Sequence, residues 1–421
     1  SNAHVLGVTY DKKNVFTDGL DFNLNVNVSQ NKETVSDLNK YNYNWDGNIA
    51  LGLDGNPILT PNGAQQGAPT LDHLNRDIIT GRSAVSYTIH PNHRIILNNY
   101  FYKIDRTDND EMKTLLEKSF LGTRDLTKMI SSISYDLKAF NSKLKANVFY
   151  KHYNQNIEKM DPVLMTGANG QQYRAEEFTK SDFSTSGYGM ASSYLIKDAI
   201  ALLFSAEKAV RMPTDNEIFG NPGDNLAGST TLKPEISNNV NLGAKIGPYK
   251  INDHTLSVSA SGFIRDTKDK LVRRINDRNN DAIQIVPMEN LGKTQSIGYE
   301  VEIGYRYGRN FNALLSLSQF NTLYKIRYDQ NGNQLDYYNQ QIPNEPYFNA
   351  NGNLQYTFRN ILNDHGDLSL NYNFSFVNAF ATTWQKDSYQ TPNQLVHDFG
   401  VSYMFPNRRF VVSVDARNLF N

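Results

Sequence analysis

The 421-residue chain contains no cysteine. Disulfides, thiol nucleophiles and thiolate-held metals are therefore excluded. The absence also suits a protein exported through an oxidising compartment. Tryptophan is scarce: Trp45 and Trp384 stand against 25 Tyr and 22 Phe. No apolar run reaches the ~18 residues a transmembrane helix needs, and mean hydropathy is below zero. The two signs of charge nearly cancel, with 42 Lys and Arg against 43 Asp and Glu. That balance implies no nucleic-acid partner. No nucleophile elbow, P-loop or dinucleotide fingerprint is present, so no enzyme activity and no cofactor are expected. Ser1-Asn2-Ala3 resembles the remnant of a removed tag and is set aside, leaving 4–421 as one domain. Any export signal is expected to have been removed with it.

What the chain does have is alternation. From Leu20 to Ser29, apolar Leu20, Phe22, Leu24, Val26 and Val28 alternate with Asp21, Asn23, Asn25, Asn27 and Ser29. Ile297, Tyr299, Val301, Ile303 and Tyr305 alternate with Gly298, Glu300, Glu302 and Gly304, and the 368–376 stretch repeats the pattern. Strand side chains alternate faces, so each such segment has one oily and one wet face. Many such strands without intervening helices predict an all-β, antiparallel transmembrane barrel in a Gram-negative outer membrane, with lipid outside and water inside. Low mean hydropathy is no objection, since a barrel strand shows only alternate residues to lipid. The tyrosines suit a membrane interface, although Tyr is also simply a good strand residue.

Turn signals divide the chain unequally. Short turns are expected at His90–His93, Phe140-Asn141-Ser142, Lys197-Asp198, Gly308-Arg309-Asn310 and Pro406-Asn407-Arg408. Long polar connections are expected near 54–78, 105–125, 155–183, 210–237, 266–295, 325–347 and 378–395. Outer-membrane barrels have this asymmetry of short periplasmic turns and long extracellular loops. About sixteen strands follow, the first two near 20–30 and 43–53. A propeller or solenoid would show a fixed-period motif, and none recurs.

Two segments go beyond a generic barrel. Arg211-Met212-Pro213 leads to Leu232-Lys233-Pro234-Glu235 and then Asn239-Val240-Asn241-Leu242-Gly243. The chain closes on Asp415-Ala416-Arg417-Asn418-Leu419-Phe420-Asn421. Both resemble TonB-dependent outer-membrane receptors. Tyr43-Asn44-Trp45-Asp46-Gly47 and the Asn98–Asp110 stretch are similar to Bacteroidetes-type members. The resemblance implies a barrel of about 22 strands around a plug, of which this chain would be the C-terminal portion without plug or last strand. It also implies uptake of a scarce nutrient, a ferric siderophore or similar metal chelate by family base rate, with coupling to the TonB complex through the plug. Outer-membrane lipid is then a partner, and a surface lipoprotein is a further candidate. A glycan importer of the same superfamily and a passive porin are the alternatives. Haem-uptake relatives place a His between the two motifs, and none lies between Arg211 and Asn239.

Candidate ligand contacts are Arg211, Asp215, Asn216, Glu217 and Lys233 in the 210–237 loop, stiffened by Pro213, Pro222 and Pro234. The plainer account is that both motifs are structural, setting where strands leave and re-enter the barrel. Tyr324, Tyr328, Tyr337, Tyr338, Tyr347 and Trp384 can form a glycan platform or an interfacial girdle, with Tyr337 and Trp384 kept as contact candidates. His90 and His93 have two-ligand metal spacing but fit a solvated turn. Asp105, Asp108, Asp110 and Glu111 can offer calcium oxygen ligands or be an acidic loop. No metal site is assigned. Glu300 and Glu302 are expected to face the lumen and pair with basic groups there.

Overall fold

The computed structural model describes residues 2–37, 48–49, 51–52, 54–57, 70–221, 226–273, 286–329, 331–361, 366–384, 390–406 and 408–420. Tyr43–Gly47, Pro222, Asn407 and Asn421 lie outside these residues.

Among the described residues one antiparallel sheet of sixteen strands follows chain order. Its strands are β1 (Asn2–Lys12), β2 (Leu20–Asp37), β3 (Thr70–His90), β4 (His93–Leu115), β5 (Lys118–Ala139), β6 (Leu144–Thr166), β7 (Gln172–Lys197) and β8 (Ile200–Arg211). Then come β9 (Glu235–Ile251), β10 (His254–Lys268), β11 (Thr294–Tyr307), β12 (Phe311–Tyr324), β13 (Phe348–Ile361), β14 (Gly366–Val377), β15 (Gln394–Met404) and β16 (Val411–Ala416). Each strand pairs with the next in sequence, as an up-and-down barrel wall requires.

The period-2 pattern sets the register. Val240, Ile264 and Ile297 are cross-strand neighbours, and each is about half exposed. They belong to a continuous apolar outer band that only lipid can cover. On the opposite face Lys245, Ser259, Glu302 and Ser316 share one row, and Ser261, Glu300 and Ser318 the next. Glu300 and Glu302 therefore line the polar lumen, as their alternation predicts. The short turns use left-handed backbone: Phe140, Asn141 and Ser142 all have φ between 53° and 64°. Such positive φ values occur in turns whose twist matches the strands they join.

The strand count agrees with the sequence reading, but its membership differs. β1 was not expected as a strand. It begins at Asn2, so residues set aside as a tag remnant pair with Asn31 and Lys32. The expected strand at 43–53 falls mostly outside the described residues, and β2 pairs directly with β3.

Two expected outer loops are not loops. Residues 105–125 continue β4 and β5 to a tight turn at Leu116-Glu117. Residues 155–183 continue β6 and β7 to a turn at 167–171. A barrel strand needs only ~9–11 residues to cross the lipid core. These hairpins, with strands of 22 to 26 residues, therefore rise far beyond it. Above the membrane both faces meet water or polar cover, so alternation of polarity disappears while ladder hydrogen bonding persists. A pattern reading takes that for loop.

Candidate functional site

The 212–234 connection turns inward onto the wall. Thr214 caps a short helix, α1 (Asp215–Phe219), in a reciprocal capping box: Glu217 N–H donates to Thr214 Oγ1 at 3.3 Å, and Thr214 N–H donates to Glu217 Oε2 at 2.8 Å. Arg211 Nη2 pairs with the other oxygen, Glu217 Oε1, at 2.5 Å. Ile218 and Phe219 enter a nest of Ile104, Leu126 and Ile157, one from each of β4, β5 and β6, with Ile78 and Tyr102 at its rim. Lys128 donates to the Pro213 carbonyl, and Arg106 Nη1 donates to the Gly220 carbonyl at 2.8 Å. The candidate loop is therefore clipped to the lumen wall at both ends of its helix.

Beside that clip lies a buried charge network. Arg106 grips Asp108 with two nitrogens, at 2.5 and 3.1 Å. Arg124 sits 3.4 Å from Asp108 and 2.6 Å from Asp161, and Lys159 reaches Asp161 at 2.5 Å. Arg76 pairs with Glu33 at 2.7 Å. The four acidic residues read as a possible cation loop do not converge: Asp108 and Asp110 face inward, whereas Asp105 and Glu111 occupy the opposite face of β4. Among the described residues no group of three or more metal-ligating side chains exists. At the other end of the barrel His93 meets the Tyr135 hydroxyl at 2.5 Å, and His90 accepts from its own turn at Asn92.

Asp72, only 6% exposed, stands beside this network. Burial, with the charges of Asp108 and Asp110, raises its carboxyl to about 6. The folded state thus holds a proton that the unfolded chain releases near 3.8. The stabilisation is present below the unfolded value and is lost as pH rises through about 6. Thermal unfolding of the wild type at about pH 5 and about pH 7.5 should show a loss of at most ~1.5 kcal/mol from this group. Asp72→Asn should flatten that part of the profile, and an unchanged profile would refute the assignment.

The loop's return is equally built. Asn221 and Leu226 exchange backbone hydrogen bonds at 2.8 and 3.1 Å. Leu226, Leu232, Leu271 and Met288 form a second apolar cluster. Asn290 locks the backbone on both sides of Lys233 at 2.9 Å, while the Lys233 side chain stays exposed. Gly228 passes so close to α1 that a Cβ would lie 2.3 Å from Phe219 C and Gly220 N. Gly228→Ala should push the segment off the helix and open the 226–229 amides to exchange by at least about 2 kcal/mol. Wild-type exchange in that variant would show that the packing is slack.

A second group gathers over β12. Tyr337 stacks on Trp384 with centroids 4.6 Å apart and planes at 25°. Tyr324 meets Tyr337 at 5.0 Å and Trp384 edge-on at 5.8 Å. Tyr324 is buried at the outer end of the lumen face, and burial beside Tyr337 pushes its hydroxyl above the ordinary range. Asn339 donates to the Tyr324 carbonyl, tying its connection back to β12, and Asn344 donates to the Ala381 and Thr382 carbonyls, joining that connection to the 380–384 segment. Tyr337 and Trp384 remain partly exposed.

The candidate residues thus separate into two sets on different arcs of the wall. Arg211, Asp215, Asn216 and Glu217 come together, but Arg211 and Glu217 satisfy each other and the helix cap, and Asp215 faces Tyr102. Tyr337 and Trp384 form an open platform. Arg106, Asp108, Arg124 and Asp161 were not singled out as a unit. Polar residues occupy both faces of the strand there, so no alternation marks these four as inward-facing.

A family model described as the TonB-dependent receptor-like β-barrel matches residues 2–419. Solved structures with the same fold include the ferric yersiniabactin uptake receptor FyuA from Yersinia pestis, at 14% identity and a TM-score of 0.67, covering 99% of this chain and 56% of that one. The copper transporter OprC matches at 14% identity and a TM-score of 0.69, covering 99% of this chain and 61% of that one. The ferric citrate transporter FecA matches at 12% identity and 0.64, covering 99% and 56%. This chain therefore spans little more than half the length of those receptors. A comparison with curated proteins returns no match. The chain belongs to the TonB-dependent receptor β-barrel family, a family of transport receptors in the Gram-negative outer membrane.

Proposed function

We propose that this receptor barrel captures a metal chelate at its extracellular mouth, with a ferric siderophore as the cargo class, and delivers it inward through a plug coupled to the TonB complex. The observation that carries the reading is the Tyr324–Tyr337–Trp384 platform, set on the lumen face above the membrane. A stacked, partly exposed pair suits the flat aromatic or conjugated arms of a chelate, and its two-loop construction lets cargo draw the loops together. The wall itself performs no bond chemistry. It supplies rigidity and a polar lumen, in which Lys245, Glu300 and Glu302 line one patch. The extra length of the receptors sharing this fold supports a plug in the whole protein.

A glycan importer is the second reading. It is favoured by the amide-bearing neighbours of the rings, among them Asn339, whose side chain accepts from Lys325 at 2.6 Å. Calorimetric titration of the full-length receptor against ferric catecholate, ferric hydroxamate and oligosaccharide panels separates the two. Binding of a ferric chelate alone supports the proposal. Binding of oligosaccharide alone overturns it in favour of the glycan reading. A planar-bilayer recording in which the full-length protein conducts steadily would instead support a passive pore, because a plugged barrel stays nearly silent.

A further inference from the structure

The rim of the wall is not level. β7 pairs with β6 without a break from Tyr194 to Gln172. On its other side it pairs with β8 only from Tyr188 to Lys197. Among the described residues nothing pairs with Gln172–Gly187 on that side. The free stretch belongs to the part of the β6–β7 hairpin that stands beyond the lipid.

The ladder decides which groups are left over. Leu195 N–H donates to the Lys143 carbonyl, toward β6. Along a strand, successive residues direct their N–H and C=O alternately to the two neighbours. With no register shift between β6 and β7, the odd residues hold β6. The even residues Arg174, Glu176, Phe178, Lys180, Asp182, Ser184 and Ser186 turn both backbone groups to the open side.

We propose that this edge receives an extended segment of a second polypeptide at the cell surface by β-strand addition. The proposal rests on the reading that this end of the barrel is extracellular. The geometry selects the occupant. Donor and acceptor recur together every two residues, ~7 Å apart, and another β-strand offers the complementary repeat whereas a small ligand spans only one such interval. The side chains narrow it further. Phe178 is 67% exposed, and Glu176 and Glu177 lie exposed beside it. The added strand therefore carries an apolar residue against Phe178 and basic residues against the two glutamates. Arg174, Lys180 and Asp182 place charge along the edge, which discourages indiscriminate edge pairing and makes the fit selective.

The test uses the full-length receptor in proteoliposomes, hydrogen exchange as readout, and a synthetic strand peptide of alternating Val and Thr with lysines set against Glu176 and Glu177. The expected result is at least ~10-fold slower exchange of the even-numbered amides of 174–186 on adding peptide. Lys180→Pro removes an outward donor while sparing the β6 ladder and should abolish the protection. Thr179→Pro breaks the β6 side instead and marks the effect of simple unfolding. No protection in the wild type, or equal protection in Lys180→Pro, overturns the proposal. Protection that grows with receptor concentration without peptide assigns the edge to a second copy and also overturns it. Labelling of Ser184→Cys on intact cells separates the two levels. A labelled but unprotected edge refutes only strand addition, whereas an unlabelled edge refutes the orientation beneath it.

Discussion

Replacing Arg106 with Ala is expected to free the 212–221 segment from the wall and destabilise the extracellular half of β4–β6 by about 3 kcal/mol. Arg106 is 2% exposed. It makes two bonds to Asp108 and one to the Gly220 carbonyl. Its removal leaves Asp108 buried with only the more distant Arg124 for compensation, and removing one partner of a buried pair costs more than the pair contributes. The Gly220 carbonyl, next to the C-terminus of α1, loses its donor as well. Hydrogen exchange over 215–221 should accelerate at least ~100-fold, the kinetic equivalent of that free energy. Arg106→Lys should fall between the two, since a single ammonium keeps the charge but cannot grip Asp108 with two nitrogens while reaching Gly220. If the Ala variant exchanges like wild type, the anchor is the apolar nest of Ile218 and Phe219 and not the guanidinium.

Trp384→Ala is expected to weaken cargo binding by about 30-fold, or ~2 kcal/mol, with barrel stability nearly unchanged. Trp384 lies in an outer connection rather than in the ladder, so its loss leaves strand pairing intact. It removes one wall of a stacked pair and leaves Tyr337 without its partner at 4.6 Å. Tyr337→Ala should cost a similar amount. The double variant should cost less than the sum, because the two rings act as one surface. Titration of the full-length receptor with whichever ferric chelate the panel shows to bind, alongside thermal unfolding in detergent, reads both quantities. Unchanged affinity in both single variants would remove the platform from the binding site and shift attention to Arg211, Asp215, Asn216, Glu217 and Lys233.

The first-named loop residues and the aromatic pair illustrate different grades of legibility. Thr214 followed three residues later by Glu217 is a helix-start signature that the sequence displays. The fact that Arg211 closes on Glu217 is not displayed, because it depends on where β8 delivers Arg211 relative to the first turn of α1. Tyr337 and Trp384 are 47 residues apart in numbering and on separate connections. Their aromatic character marks them as candidates, but only the hydrogen bonds joining the two connections bring the rings together.

The amino-acid sequence by itself determined that the chain is all-β and alternates between lipid and lumen. The physical reason is local: side-chain direction in a strand has period two, so residues such as Val240, Leu242, Asn239 and Asn241 declare their faces without reference to anything distant. It also determined the short turns at 90–93, 140–142, 197–198 and 308–310 and, through the Leu232–Glu235 and Asp415–Phe420 motifs, the family. The tertiary structure alone decided how far the strands rise. Above the membrane the two faces no longer meet different solvents, so β4 to β7 lose the alternation while the ladder continues. It alone decided that the 212–234 segment folds inward onto Ile104, Leu126 and Ile157, because that depends on apolar area and buried charge contributed by three strands that the sequence separates. The open edge of β7 was hidden for the same reason, since an unpaired edge is defined by where its neighbour stops.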